Sequence, residues 1–471
     1  MKILMVYPSH SWYMRIYRKI KKIPNSSLGT KHGIGYIINY AKSNDEIVDF
    51  LELESVSWKE FKRIVKNYDI VGYSIISMNY IIAMKAIKIN KKENPNVTII
   101  VGGVDPSVST EKYENNHLID YIIRGEGEIS FLEIIKAKIE ELDGNKSIGM
   151  NRIDRFKKVI EGKKIENLDN LDFVNRDIVS HSNSPNPLLL KEPHFSILTS
   201  RACLYNCKFC APASKKMFGK KIRTRSAENV VQELIYLKDK YGLKSVTFES
   251  DNFLQDREWL INFIDCLKKS KLKINFNIHG RSNNIIKNHD LIKELKILGL
   301  IEIFIGIESG SDKMLKYFKK GTSVDMNKKA INILKNNNIK IQSSFISGFP
   351  VETKEDIKLT EQFIKENSSN EIFGFSTFVP LPGSFFYEEY KKKGLLFEDS
   401  EYSDFNLKKP RIMGVDYYYL SWINFKLFLK YSDSCFSQLS HLIFFVYNIF
   451  LITGFYIKYY IKILLNKKLK N

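Results

Sequence analysis

The chain has 471 residues, 44% hydrophobic and 27% charged, with 73 Lys and Arg against 53 Asp and Glu for a formal charge of +20. That balance excludes wholesale disorder and supplies apolar residues for about three domains of ordinary size. The positive excess admits an anionic membrane, an acidic substrate or nucleic acid as partner, and equally a lysine-rich composition with no partner behind it.

Met1 to Pro8 carries one charge ahead of a short apolar run, which predicts a buried strand and not a signal peptide. Residues 1–145 then alternate apolar runs (Ile3–Tyr7, Glu46–Leu53, Ile70–Ser77, Val97–Gly102, Ile119–Arg124) with amphipathic stretches near 33–42, 57–67, 80–92 and 128–142. Runs apolar throughout belong to a parallel sheet covered on both faces, so a doubly wound α/β domain is predicted. Its ligand edge lies at the C-terminal strand ends, at Pro8-Ser9-His10, Ser74–Ser77, Gly102-Gly103 and Gly125-Glu126-Gly127-Glu128. Residues 146–190 read as a linker with some local strand. Over 191–395, strands predicted at 195–200, 244–249, 273–278, 301–307, 341–347 and 372–379, with helices between, suit an open (β/α)6 barrel. Residues 396–471 form a helical C-terminal region.

There are five cysteines, and Cys203, Cys207 and Cys210 fall in one C-x3-C-x2-C run on a loop after a strand. A disulfide scaffold is excluded by the odd, low count, and structural zinc asks for four ligands. Three thiolates on a [4Fe–4S] cube leave one iron open to a small chelating ligand. Cys266 and Cys435 lie far off in predicted helices and read as buried free thiols.

This run resembles the signature of the radical S-adenosylmethionine (SAM) superfamily, with Phe209 as the aromatic before the last cysteine. The resemblance continues in order along the chain and covers about residues 1–395. Phe248-Glu-Ser-Asp-Asn-Phe253 stands where the superfamily binds the SAM amino group, so Asp251 or Glu249 supplies the carboxylate. Arg281 would hold the SAM carboxylate. Gly306-Ile-Glu-Ser-Gly310 implies Glu308 and Ser309 as contacts to ribose or methionine. Phe345–Thr353 and Pro380–Ser384 resemble the fifth- and sixth-strand segments.

In this family an N-terminal doubly wound domain is usually cobalamin-binding. That implies Ser74, Gly102, Gly103, Gly125 and Glu126 at the cofactor or its nucleotide tail. The Asp-x-His-x-x-Gly motif of the cobalamin mutases is absent, so the lower cobalt face is expected without a histidine, His10 included. The resemblance implies a [4Fe–4S] cluster, SAM and cobalamin as cofactors, a small-molecule or lipid-like substrate, and a reducing protein of the flavodoxin or ferredoxin type. The implied activity is SAM cleavage to a 5′-deoxyadenosyl radical and C-methylation of an unactivated carbon. The alternatives are a ring-forming oxidative reaction of the magnesium-protoporphyrin cyclase type and, in another class, a non-catalytic binding or regulatory protein, against which the intact cysteines and Glu308 argue.

From Ser434 to Ile457 no residue is charged, and Lys458, Lys462, Lys467, Lys468 and Lys470 follow. Three readings compete: a helix lying on an anionic membrane, a helix packed on the barrel, and a true span. A cytoplasmic protein with peripheral membrane contact through 434–471 is the expectation. Nucleic acid is not: the basic run Arg15–Lys22 has no RNA motif beside it.

Overall fold

The structure, a computed structural model, describes residues 1–8, 31–142, 158–179, 191–210, 217–219, 221–367, 372–397, 410–431 and 435–468. His10 and the Arg15–Lys22 run lie outside them.

The first sheet is built from β1 (Ile3–Tyr7), β2 (Val48–Glu52), β3 (Ile70–Ser74), β4 (Thr98–Gly102), β5 (Tyr121–Arg124) and β6 (Val159–Glu161). All neighbours are parallel, in the order β2-β1-β3-β4-β5-β6. Both faces are apolar because alternate residues of each strand feed different cores. Leu4, Val6, Val71 and Tyr73 pack with Phe61 and Ala83, whereas Ile3, Met5 and Ile70 pack with Ile34, Ile38 and Phe131. The helices supplying these partners are α1 (His32–Lys42), α2 (Trp58–Val65), α3 (Tyr80–Glu93) and α4 (Glu128–Leu142). The order reverses between β1 and β3, which opens a crevice at the C-terminal strand ends. The three-residue β6 comes from the stretch read as linker, and Ile165, Leu168, Leu171, Val174 and Val179 after it enter the same core.

The second sheet runs β14-β13-β12-β11-β10-β7, again parallel. Its strands are β7 (His194–Ile197), β10 (Ser245–Phe248), β11 (Asn275–Gly280), β12 (Leu300–Glu308), β13 (Lys340–Ser347) and β14 (Ile372–Thr377). A small ribbon, β8 (Ser200–Arg201) with β9 (Arg223–Thr224), sits at its first edge. Along β7 and β11, Phe195, Ile197, Phe276 and Ile278 join the core under the helices. The alternate residues His194, Ser196, Asn275, Asn277 and His279 take the other face, so the concave side is polar. The sheet remains an open half-barrel. Its edge strand β7 is capped by a side chain: Arg176 Nη2 donates to the Ser196 carbonyl at 2.9 Å and to Glu233 at 3.0 Å.

The last two described helices are α5 (Tyr417–Tyr431) and α6 (Cys435–Lys468). Leu420, Ile423 and Leu427 of α5 are buried in the barrel core. α6 packs on α5 through Phe425–Phe445 and Tyr418–Tyr456, with ring centroids 4.5 and 6.2 Å apart.

Candidate functional site

The cysteine loop leaves the ribbon at Arg201 and closes on itself through Cys210 N–H to the Cys207 carbonyl. It borders a cavity of about 370 Å3 that also touches Asp251, Arg281, Glu308, Phe209, His279, Phe304 and Lys320. Strand ends deliver these groups: β10 leads to Asp251, β11 to Arg281 and β12 ends at Glu308. Desolvation raises the Cys203 thiol. The Cys210 thiol is pushed up to about 12 by desolvation first and then by nearby Cys207 and Asp251. An iron centre reverses this preference, because a coordinating thiol is deprotonated outright. Among the described residues, no three His, Cys, Asp or Glu side chains converge on one metal-ion position. A cubane places each of three thiolates on a different iron.

Arg281 is buried, and Nη1 donates to Cys207 Sγ at 3.2 Å. Its Nη2 donates to the Lys320 carbonyl, and its guanidinium lies 3.6 Å from the centre of the Tyr205 ring. Glu308 has φ +68°, a conformation that costs a non-glycine residue energy. It accepts from Lys320 Nζ at 2.8 Å, both side chains being buried. Burial holds His279 below its ordinary value, so the imidazole meets the cavity neutral.

The acidic run after β10 is divided between environments. Asp251 reaches the cavity, Phe253 enters the core, and Asn252 donates to Asn284. Glu249 instead approaches His32, 3.9 Å away. That histidine is held well below its ordinary value by burial, with Arg176 and Arg225 adding to it, so the contact is not an ion pair. Ser309 is fully buried against Thr360 and Ser311 and does not line the cavity. The geometry thus separates Glu249 and Ser309 from the other expected contacts. Lys320, Tyr205 and His279 join the cavity without a sequence signal. Lysines abound in this chain, Tyr205 fills a variable position of the cysteine run, and His279 stands in no motif.

A second cavity of about 220 Å3 opens at the C-terminal ends of β3, β4 and β5. Ser74, Gly102, Gly103, Gly125 and Glu126 all border it, with Met5, Tyr36, Ile37, Ile100, Phe131 and Phe218. The lining is mainly apolar. Gly103 has φ +100°, and a Cβ there would stand 2.8 Å from the Ile75 carbonyl oxygen. That glycine answers to its backbone conformation and the close approach of the chain at Ile75, while the mainly apolar lining suits a largely apolar ligand. Glu126 borders the cavity with both its carboxylate oxygens accepting from Arg201 and Arg223.

Comparison with known proteins matches residues 197–364 to the radical SAM superfamily and residues 27–135 to the B12 binding domain. An uncharacterized methyltransferase of Pyrococcus horikoshii is 28% identical over 82% of this chain and 83% of its own length. A provisionally named methylthiotransferase of Methanocaldococcus jannaschii is 30% identical over 67% and 68%. The anaerobic magnesium-protoporphyrin IX monomethyl ester cyclase of Rubrivivax gelatinosus is 25% identical over 71% and 60%. Among solved structures, the fold resembles OxsB, a cobalamin-dependent SAM radical enzyme, with a TM-score of 0.61, 17% identity, and 92% and 68% coverage.

Proposed function

The chain belongs to the cobalamin-dependent radical SAM superfamily, and from that premise we propose that it methylates an unactivated carbon of a small-molecule substrate. Its cofactors are a [4Fe–4S] cluster, SAM and cobalamin. One observation carries the reading: the three cysteine thiols share a single cavity with Asp251, Arg281 and Glu308, beside a second, glycine-floored cavity.

The residues fit the cofactors. The two carboxylates and the guanidinium complement the ammonium and carboxylate of a methionine moiety, with Asp251 taking the ammonium and Arg281 the carboxylate. Glu308 accepts from ribose hydroxyls. The apolar second cavity, with Ser74 at its rim, suits the nucleotide tail of cobalamin. When bound, these cofactors supply reductive cleavage of a sulfonium bond and a transferable methyl group. The protein orients and shields: Phe209 and Phe304 limit water, and neutral His279 offers the substrate one hydrogen bond. Electrons come from a small reducing protein of the flavodoxin or ferredoxin type.

The test is anaerobic incubation of cluster-reconstituted, cobalamin-loaded protein with dithionite and methyl-labelled SAM. Label on cobalamin together with 5′-deoxyadenosine is the expected result. Deoxyadenosine without labelled cobalamin would sink the methyltransferase reading and leave radical generation standing.

Peripheral contact with an anionic membrane is part of the same proposal. No helix of the described residues is long and apolar enough to cross a membrane. Leu442, Val446, Phe450, Ile457 and Ile461 form an exposed stripe on α6, with exposed Lys458 beside it. Their spacing follows the helical repeat, and apolar side chains with flanking lysines suit a lipid surface. Phe450 is 73% exposed and Ile457 55%. Phe450→Glu/Ile457→Glu should weaken sedimentation with phosphatidylserine vesicles at least ~10-fold and leave SAM cleavage unchanged. Unaltered sedimentation would reject the contact.

A further inference from the structure

A set of four buried charges lies between the two sheets, outside the cysteine cavity. Glu126 and Glu128 stand at the start of α4, and Arg201 and Arg223 are paired residues of the β8–β9 ribbon. All four are more than nine-tenths buried. Arg201 donates to Glu126 at 2.7 Å and to Glu128 at 2.5 Å. Arg223 donates to Glu126 through both Nη atoms, and to the Ile165 carbonyl at 2.6 Å. Two cations and two anions balance, which is the condition for holding charges out of water.

The position of this quartet matters more than its strength. Glu126, Glu128 and Arg201 border the glycine-floored cavity, as do Tyr36 and Phe218, whose rings lie 5.4 and 5.6 Å from the Arg201 guanidinium. Arg201 is also separated from Cys203 by a single residue. That residue, Ala202, has φ +76° and is buried. An alanine stays in that region only where its surroundings hold it. A continuous path of tightly held groups therefore runs from the wall of one cavity to the first thiol of the other.

We propose that Glu126, Glu128, Arg201 and Arg223 are positioning residues that make the cysteine loop respond to cobalamin in the neighbouring cavity. The inference rests on the cobalamin reading of that cavity. By linkage, whatever cobalamin does to the loop, an ordered loop does to cobalamin affinity. None of the four residues needs to touch a reacting atom.

The experiment is hydrogen exchange of residues 200–205 in cluster-reconstituted protein, with and without hydroxocobalamin, alongside the cobalamin absorbance of the same samples. The native chain should gain ~10-fold protection on binding, within the usual range of coupling between sites. Arg201→Met/Glu128→Met removes one whole pair and leaves Glu126 with Arg223. It should still bind cobalamin but gain less than ~2-fold protection. If that variant does not fold, Glu128→Gln, which leaves Arg201 its bond to Glu126, is read in the same way and should give a gain between the two. No cobalamin band in the native protein overturns the cobalamin reading itself. A band with no change at 200–205, or a full gain in the variants, overturns the positioning role alone.

Discussion

Cys207→Ala should yield no 5′-deoxyadenosine above the level of iron-free protein. The loss is expected to be complete because each thiolate of a three-cysteine cubane serves its own iron. Cys266 does not substitute, because it sits on the helix 257–270 with its sulfur 3.5 Å from a Glu228 oxygen. Cys266→Ala is therefore the matched control, with full iron content and full cleavage. Iron and sulfide analysis of both variants checks the cause. A Cys207→Ala protein with native iron content and native cleavage would refute the cluster assignment.

Glu308 carries the second large effect, through two terms that different substitutions separate. The left-handed backbone costs roughly 1–2 kcal/mol for any side chain. The ion pair with Lys320 is buried, so removing the carboxylate strands an ammonium and costs about 3–5 kcal/mol. Glu308→Ala keeps the strain and loses the pair. Glu308→Gly loses the pair but relieves the strain, and should be about 1 kcal/mol more stable than the alanine variant. Both should lose most SAM cleavage. Urea unfolding of the two variants beside the native chain decides the point, and equal stability of the alanine and glycine forms would show that the backbone is not strained there.

The strands of both sheets were legible because their periodicity states their environment. Runs such as Ile70–Tyr73, apolar on both faces, belong to a covered parallel sheet, and the six strand–helix repeats of residues 191–395 suit an open barrel. The three-residue β6 was not, since Val159-Ile160-Glu161 carries too little pattern. The cysteine triplet identified one cavity from local spacing alone. Side-chain direction at strand ends was harder. Glu249 and Asp251 share a face only while a strand continues, and β10 ends at Phe248. Beyond it the chain turns, so one carboxylate faces the cavity and the other faces His32. Ser309 is turned away for a related reason, because the left-handed Glu308 redirects the chain. The Arg201–Glu126 contact joins residues 75 apart and exists only once two sheets have packed.

The side-chain cap on β7 bears on how the chain comes to be made. An open half-barrel ends in a strand whose outer carbonyls have no ladder partner, and such edges recruit strands from other molecules. Here the Ser196 carbonyl is occupied by Arg176, a residue that leaves the ribosome before the barrel does. The guard is thus synthesised ahead of the edge it protects. The two halves are accordingly poor candidates for separation: a barrel begun after residue 190 would enter solution with its first strand bare, and self-association would compete with folding from the start.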